Sequence, residues 1–189
     1  MRLMYIHGYD STGQAVKAQL LQKMFPQHNV VAPTFDYNTL LPQQVFQQLR
    51  DLIDTEHPAL ILGSSTGGYY ALCCTAFYDG PVWCVNPVRD ILATIQKLTA
   101  STEALQHVAP QTIEQVLSAY RQFNQALFQQ LHPRNGQLHF ALSTDDELLG
   151  DHHPLLDRFP NHGSVVWKDH SGHRFYRFEE LQNDIAQTL

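Results

Sequence analysis

The chain has 189 residues, enough to bury roughly 70% of the surface its unfolded form exposes, so no disulfide framework is required to hold one domain together. Hydrophobic residues make up 43% and charged residues 16%, a mixture that excludes disorder, collagen and coiled coil. Twelve Lys and Arg against eighteen Asp and Glu give a net charge of −6 with no basic cluster, which leaves nucleic-acid binding without an electrostatic footing.

The opening MRLMYIHGYD lacks the apolar core of about 7–15 residues that a secretory signal needs, and no apolar stretch reaches about 18 residues. Neither export nor a membrane partner is expected. Cys73, Cys74 and Cys84 are odd in number, and two are adjacent inside an apolar run. They read as buried, reduced thiols of a cytoplasmic protein.

Six short apolar runs follow one another: Leu3–His7, Val30–Phe35, Ala59–Ser64, Val82–Asn86, Leu138–Ser143 and Val165–Lys168. They are nearly continuous in apolar character rather than alternating, as strands buried on both faces must be. Helical spacing separates them. Val16, Leu20, Met24 and Phe25 mark a first helix, and Pro42 opens a second with Val45, Phe46, Leu49, Leu52 and Ile53 on one face. Thr66–Tyr78 is apolar almost all round and reads as a central, covered helix. Phe175, Phe178, Leu181, Ile185 and Leu189 predict a final amphipathic helix.

The fold class that follows is α/β: a mostly parallel sheet of about six strands with helices on both faces, in a single domain over 1–189. One interval interrupts the alternation. Val88–Gln137 carries two helical patterns, Ile91/Leu92/Ile95/Leu98 and Ile113/Val116/Leu117/Tyr120/Leu127/Phe128/Leu131, the second preceded by a capping-box signature at Thr112 and Gln115. It reads as a helical excursion over one end of the sheet.

The chemistry centres on Gly63-Ser64-Ser65-Thr66-Gly67, a G-x-S-x-G pattern between the third strand and the most apolar helix. A nucleophile at a tight strand-to-helix turn sits in strained backbone, so the residues two before and two after must lack bulk. The same turn aims the helix N-terminus at charge developing on the substrate. A P-loop would need Lys-Ser/Thr where Tyr69-Tyr70 stands, and a dinucleotide fingerprint would need G-x-G-x-x-G at the first strand. Neither is present.

Ser65 requires a base, and the base an orienting acid, in the chain order Ser, Asp/Glu, His. Thr144-Asp145-Asp146-Glu147 follows the fifth strand, and Asp169-His170-Ser171-Gly172-His173 follows the sixth. Position alone favours Asp146 and His173 while leaving Asp145 and His170 open. His7-Gly8-Tyr9 ends the first strand, where the Tyr9 N–H can join that of Thr66 in an oxyanion hole and His7 would brace the loop. A metal-dependent rival would use the Asp145–His153 loop, with Asp151, His152 and His153. Adjacent histidines on one element seldom converge on one ion, and neither H-E-x-x-H nor paired C-x-x-C spacing exists. A further rival is a catalytically silent binding protein on the same fold.

Five segments, Tyr5-Ile-His-Gly-Tyr-Asp-Ser, Gly63-Ser-Ser-Thr-Gly-Gly-Tyr-Tyr-Ala, Asn86-Pro-Val-Arg, Thr144-Asp-Asp-Glu-Leu-Leu and Ser171-Gly-His-Arg-Phe, resemble in order and overall length the YqiA-like small bacterial esterases of the α/β-hydrolase superfamily. The resemblance implies a compact α/β-hydrolase fold and a serine esterase or thioesterase acting on short acyl esters, with acyl-CoA thioesters as a second substrate class, and with no metal or organic cofactor. By motif it implies Ser65 as nucleophile, His173 as base and Asp146 as acid, the last because the family's Asp-Glu pair matches Asp146-Glu147. Asp145 stands where the family pattern has a small residue. The Asn86-Pro87 match carries no reaction role and reads as a strand-terminating turn. With little chain left for a lid domain, the 88–137 excursion is the segment positioned to cover Ser65 and set specificity.

Overall fold

A computed structural model describes residues 1–101 and 110–189. The middle of the predicted excursion, 102–109, lies outside the described residues. Strands β1 (Arg2–Ile6), β2 (Asn29–Val31), β3 (Leu60–Ser64), β4 (Val82–Val85), β5 (Leu138–Ser143) and β6 (Val165–Lys168) form one parallel sheet in the order β2-β1-β3-β4-β5-β6. The register sets Tyr5 beside Leu62 and Leu62 beside Trp83 across the three central strands.

Successive strand residues point to opposite faces, and the apolar character of both faces builds two cores. Met4, Ile6, Ile61, Cys84 and Phe140 join one core with helices α2 (Pro42–Glu56), α3 (Thr66–Cys74) and α5 (Pro110–Ala126). Leu3, Tyr5, Leu60, Leu62 and Trp83 join the other with α1 (Val16–Met24) and the C-terminal segment. Each fully buried Leu or Ile contributes about 1.5–3 kcal/mol by leaving water, so the strands are held from both sides. Helix α4 (Ile91–Ser101) and α5 occupy the predicted excursion, and α6 (His153–Arg158) precedes β6. Among the described residues no helix is long and apolar enough to cross a membrane. The three cysteines are free and buried.

Five local expectations are corrected. The second strand stops at Val31 rather than Phe35, because Pro33 has no N–H for a ladder and the chain turns away, giving the Phe35 N–H to His7 Nε2 at 2.8 Å. In α1 the inward stripe is Ala18, Leu21 and Met24, and Val16 is 71% exposed. Helix α3 ends at Cys74, and Tyr78 lies past it with its hydroxyl donating to the Pro58 carbonyl at 2.9 Å. Helix α5 already runs from Pro110, a residue suited to a first turn, so Thr112 is inside the helix and no box forms there. Half of such a box occurs at α2 instead, where the Leu41 N–H donates to Gln44 Oε1 at 2.8 Å and the Gln44 N–H finds the Leu41 backbone carbonyl rather than a side chain.

The last predicted helix is also broken. Phe175 has φ 52°, a 3₁₀ turn spans Phe178–Leu181, and only Gln182–Ala186 (α7) is α-helical. The backbone before it is committed elsewhere: the N–H groups of Phe175 and Tyr176 donate to the carbonyls of Gly172 and Ser171. The apolar stripe survives the break, with Phe175, Phe178, Leu181 and Ile185 no more than 1% exposed.

The chain leaves β1 for β2 at one edge and then returns to β3 on the other side of β1. Connections departing in opposite directions open a crevice at the carboxyl ends of β1 and β3.

Candidate active site

Ser65 follows β3 directly, with φ 56° and ψ −119°, a region that costs a non-glycine residue of order 1–3 kcal/mol unless its surroundings hold it there. Here they do. Its N–H donates to the Val85 carbonyl at 3.0 Å, and its carbonyl accepts from the N–H groups of Tyr69 and Val88 at 3.1 Å each. A Cβ on Gly63 would overlap the Gly67 carbonyl, and one on Gly67 would overlap the Ile6 carbonyl. Both positions must therefore be glycine for α3 to begin hard against β1 and β3.

Ser65 Oγ lies 2.9 Å from His173 Nε2, and His173 Nδ1 lies 3.0 Å from each oxygen of Asp146. A carboxylate only accepts, so Nδ1 carries the proton and Nε2 is left bare to accept from the serine hydroxyl. Asp146 is buried at the head of this chain of contacts. It also accepts from the N–H groups of Leu148 and Leu149 at 3.0 and 2.8 Å, and from His152 Nε2 at 3.1 Å. Burial alone would raise its pKa. The hydrogen bonds from His152, His173 and the Leu149 N–H, with the charge His173 can carry, outweigh that and hold the carboxyl well below the usual range.

The three adjacent carboxylates divide their work. While Asp146 meets the imidazole, Asp145 accepts from the N–H groups of Ser171 and Gly172 at 3.0 Å each, and Glu147 accepts from the His173 N–H at 2.8 Å. The Gly172 N–H bond, aided by that of Ser171, keeps the Asp145 carboxyl low as well. His170 is exposed at a left-handed bend and is not brought to Ser65.

Asn86, read from the sequence as a mere strand-terminating turn, is a clamp. It sits fully buried at φ 40°, where asparagine is among the tolerated residues. Its Nδ2 reaches Ser143 Oγ at 3.0 Å and the carbonyls of Gly172 and His173 at 2.9 and 3.1 Å, while its Oδ1 accepts the Ser143 N–H at 2.8 Å. Ser143 Oγ donates in turn to the Gly172 carbonyl at 2.7 Å. The ends of β4 and β5 thus hold the loop that bears His173. An asparagine just past a central strand was the available signal; its partners are remote in sequence and were not.

His152 and His153 do not converge. His152 turns inward to Asp146, while His153 bonds Asp151 at 2.6 Å and stacks on Trp167 with ring centroids 5.1 Å apart. Among the described residues no cluster of three or more His, Cys, Asp and Glu side chains suits a metal ion.

His7 is fully buried and accepts the Phe35 N–H, so Nδ1 bears the proton and donates to the Gly8 carbonyl at 2.7 Å. Burial lowers its pKa against the opposing pull of the Gly8 carbonyl, which keeps the ring neutral. Tyr37 donates to the His7 carbonyl at 2.8 Å and Tyr9 donates to Asn38 Oδ1 at 2.6 Å. The loop after β1 is pinned by these bonds beside the start of α3. The N–H groups of Tyr9 and Thr66 donate to no described residue.

The family model described as "Uncharacterised protein family (UPF0227)" matches residues 2–189. Among solved structures, the chain is similar to alpha/beta hydrolase domain-containing protein 10 from mouse at a TM-score of 0.70 and 13% identity, covering 98% of this chain and 88% of that one. The esterase domain of a Rhodothermus marinus protein gives 0.65 and 16% over 98% and 85% of the two chains. Est1E from Butyrivibrio proteoclasticus gives 0.66 and 9% over the same shares, 98% and 85%. At such identities the likeness concerns architecture: the fold is that of the α/β hydrolases.

Proposed function

The chain belongs to the UPF0227 (YqiA) family, and on that footing we propose that it is a serine hydrolase, a carboxylesterase or thioesterase that cleaves acyl esters through an acyl-enzyme on Ser65. The observation that carries this reading is the unbroken line of hydrogen bonds from Ser65 Oγ through His173 to a buried, ionised Asp146. Ser65 Oγ attacks the ester carbonyl carbon as its proton passes to His173 Nε2. The N–H groups of Tyr9 and Thr66 stabilise the oxyanion. The tetrahedral intermediate then expels the leaving oxygen or sulfur, which takes the proton from His173. Water repeats the sequence in the second half, releasing the acid and restoring Ser65. Asp146 holds the imidazole in the tautomer with Nδ1 protonated and offsets its charge once it becomes imidazolium.

Esterase neighbours of the same fold support a hydrolase as the class of reaction. Labelling with a fluorophosphonate probe tests the reading. The folded protein should be labelled at Ser65 and the Ser65→Ala variant should not. An unlabelled native protein, or ester hydrolysis that persists in Ser65→Ala and disappears in EDTA, overturns it.

A further inference from the structure

One cavity of about 100 Å³ is lined by Tyr9 and Thr66 together with α4 and α5. The helices present Ile91, Ile95 and Leu98 from one side and Ile113 and Val116 from the other. No described lining residue is charged. Its polar groups are mostly engaged already. The hydroxyls of Thr94 and Thr99 bond back to the carbonyls of Asp90, just before α4, and Ile95 at 2.8 and 2.9 Å. That of Tyr120 pairs with Tyr70 at 2.8 Å, and that of Tyr37 with the His7 carbonyl. A polar ligand would find little to replace its water, whereas an aliphatic chain would lose only unfavourable hydration.

The direction of the reaction fixes which part of a substrate enters. The leaving oxygen must face His173 Nε2 to be protonated, and the His173 loop contributes nothing to this lining. The two proposed oxyanion donors do contribute. With the carbonyl oxygen between them and the leaving group turned to His173, the remaining substituent of the carbonyl carbon points into the cavity. We infer that the cavity takes the acyl chain, an uncharged aliphatic one, and that α4 and α5 set its length. This rests on the serine-hydrolase reading above.

The test measures kcat/KM for p-nitrophenyl esters from acetate to octanoate, and for alkyl acetates of matching length, with the native protein and with Ile95→Trp and Val116→Trp. In each variant the hexanoate-to-acetate ratio should fall about tenfold or more, because crowding one or two methylenes out of an apolar pocket costs discrimination of that size. The alkyl acetates should show no such shift, and p-nitrophenyl hemisuccinate should be a markedly poorer substrate than the butyrate. An unchanged ratio in both variants, a shift confined to the alkyl acetates, or a preferred hemisuccinate overturns the assignment. Fluorophosphonate labelling of Ser65 separates the two levels. Native protein that labels while the ratios stay fixed sinks the acyl cavity alone, and native protein that does not label sinks the serine-hydrolase reading with it. The variants sit on facing helices, so one decides where the other does not fold.

Discussion

The turn that carries Ser65 and the loops that carry Asp146 and His173 reach the same point by opposite means. The turn is a steric device. Its conformation depends on the absence of side chains at Gly63 and Gly67 and on the backbone hydrogen bonds of Ser65, to the Val85 carbonyl and from the Tyr69 and Val88 N–H groups. The loops are a polar device. Asn86, Ser143, Asp145 and Glu147 come from two strand ends and one turn, and they hold the backbone of residues 171–173 through side-chain contacts. Strain in the turn persists because packing over-determines it, whereas the imidazole is kept in one place by side-chain hydrogen bonds to the loop that carries it. A buried polar clamp does that, provided every member is paired.

The contrast can be broken by substitution. Ser65→Ala removes the proposed nucleophile from an otherwise intact turn, and kcat toward p-nitrophenyl esters should fall on the order of 10⁴-fold or more with the circular dichroism spectrum unchanged. His173→Ala should cost about as much, and the double variant little more, since the residues act as a unit.

Next in size is the division among the carboxylates. Asp146→Asn should lower kcat by about 10³–10⁴-fold, because an amide facing Nδ1 no longer holds the required tautomer. Asp145→Asn keeps an acceptor for the Ser171 and Gly172 N–H groups and should stay within about tenfold of the native rate. Reversal of that order in steady-state kinetics would remove Asp146 from the mechanism.

Two further variants separate steric from polar construction. Asn86→Ala strands Ser143 and the loop carbonyls, costing about 1–3 kcal/mol, and it frees the His173 loop enough to lower kcat by roughly 10–100-fold. Gly67→Ala instead drives a methyl into the Ile6 carbonyl and should lose at least about 1–3 kcal/mol of stability in urea denaturation. At a comparable loss of stability, a fall in kcat in Gly67→Ala as large as that in Asn86→Ala would erase the distinction drawn between the regions.

The smallest effect is in the pH dependence of stability. His7 is kept neutral by burial, below the ordinary imidazole value of about 6.5. As pH falls through about 6.5, the unfolded chain therefore takes up a proton that the folded one refuses, and stability declines. Asp146 acts lower down. Its contribution is complete above the ordinary carboxylate value of about 4 and is lost as pH falls below it toward the depressed folded value. Thermal melts between pH 8 and 3 should show Tm falling first below about 6.5 and more steeply below about 4. A flat Tm across the upper interval would mean that His7, and His139 whose pKa burial also lowers, take up protons in the folded state as readily as in the unfolded one.

Much of this was legible in the residues. Apolar runs buried on both faces required parallel strands covered on both sides, and the G-x-S-x-G spacing located Ser65 because steric exclusion acts between near neighbours. The same local logic failed where a remote partner intervened. Pro33 ended β2 early as Phe35 turned to His7, and the Phe175–Leu189 periodicity became a broken helix once residues 171–177 were committed to the site. His152 could be seen as a candidate ligand in a polar loop, but its bond to Asp146 depends on how that loop folds back.

What the sequence determined by itself is what depends on a few adjacent residues: strand character from apolar runs, helix faces from spacing, and the strained turn from its glycines. What the tertiary structure alone decided is what depends on hydrogen bonds between residues far apart in the chain. Those are the contact of Asp146 rather than Asp145 with His173, the conversion of Asn86 from a turn into a clamp, and the opening of α4 and α5 onto Tyr9 and Thr66. Sterics between neighbours leave a signature in composition and spacing. A donor and an acceptor brought together by the fold leave none until the chain is in place.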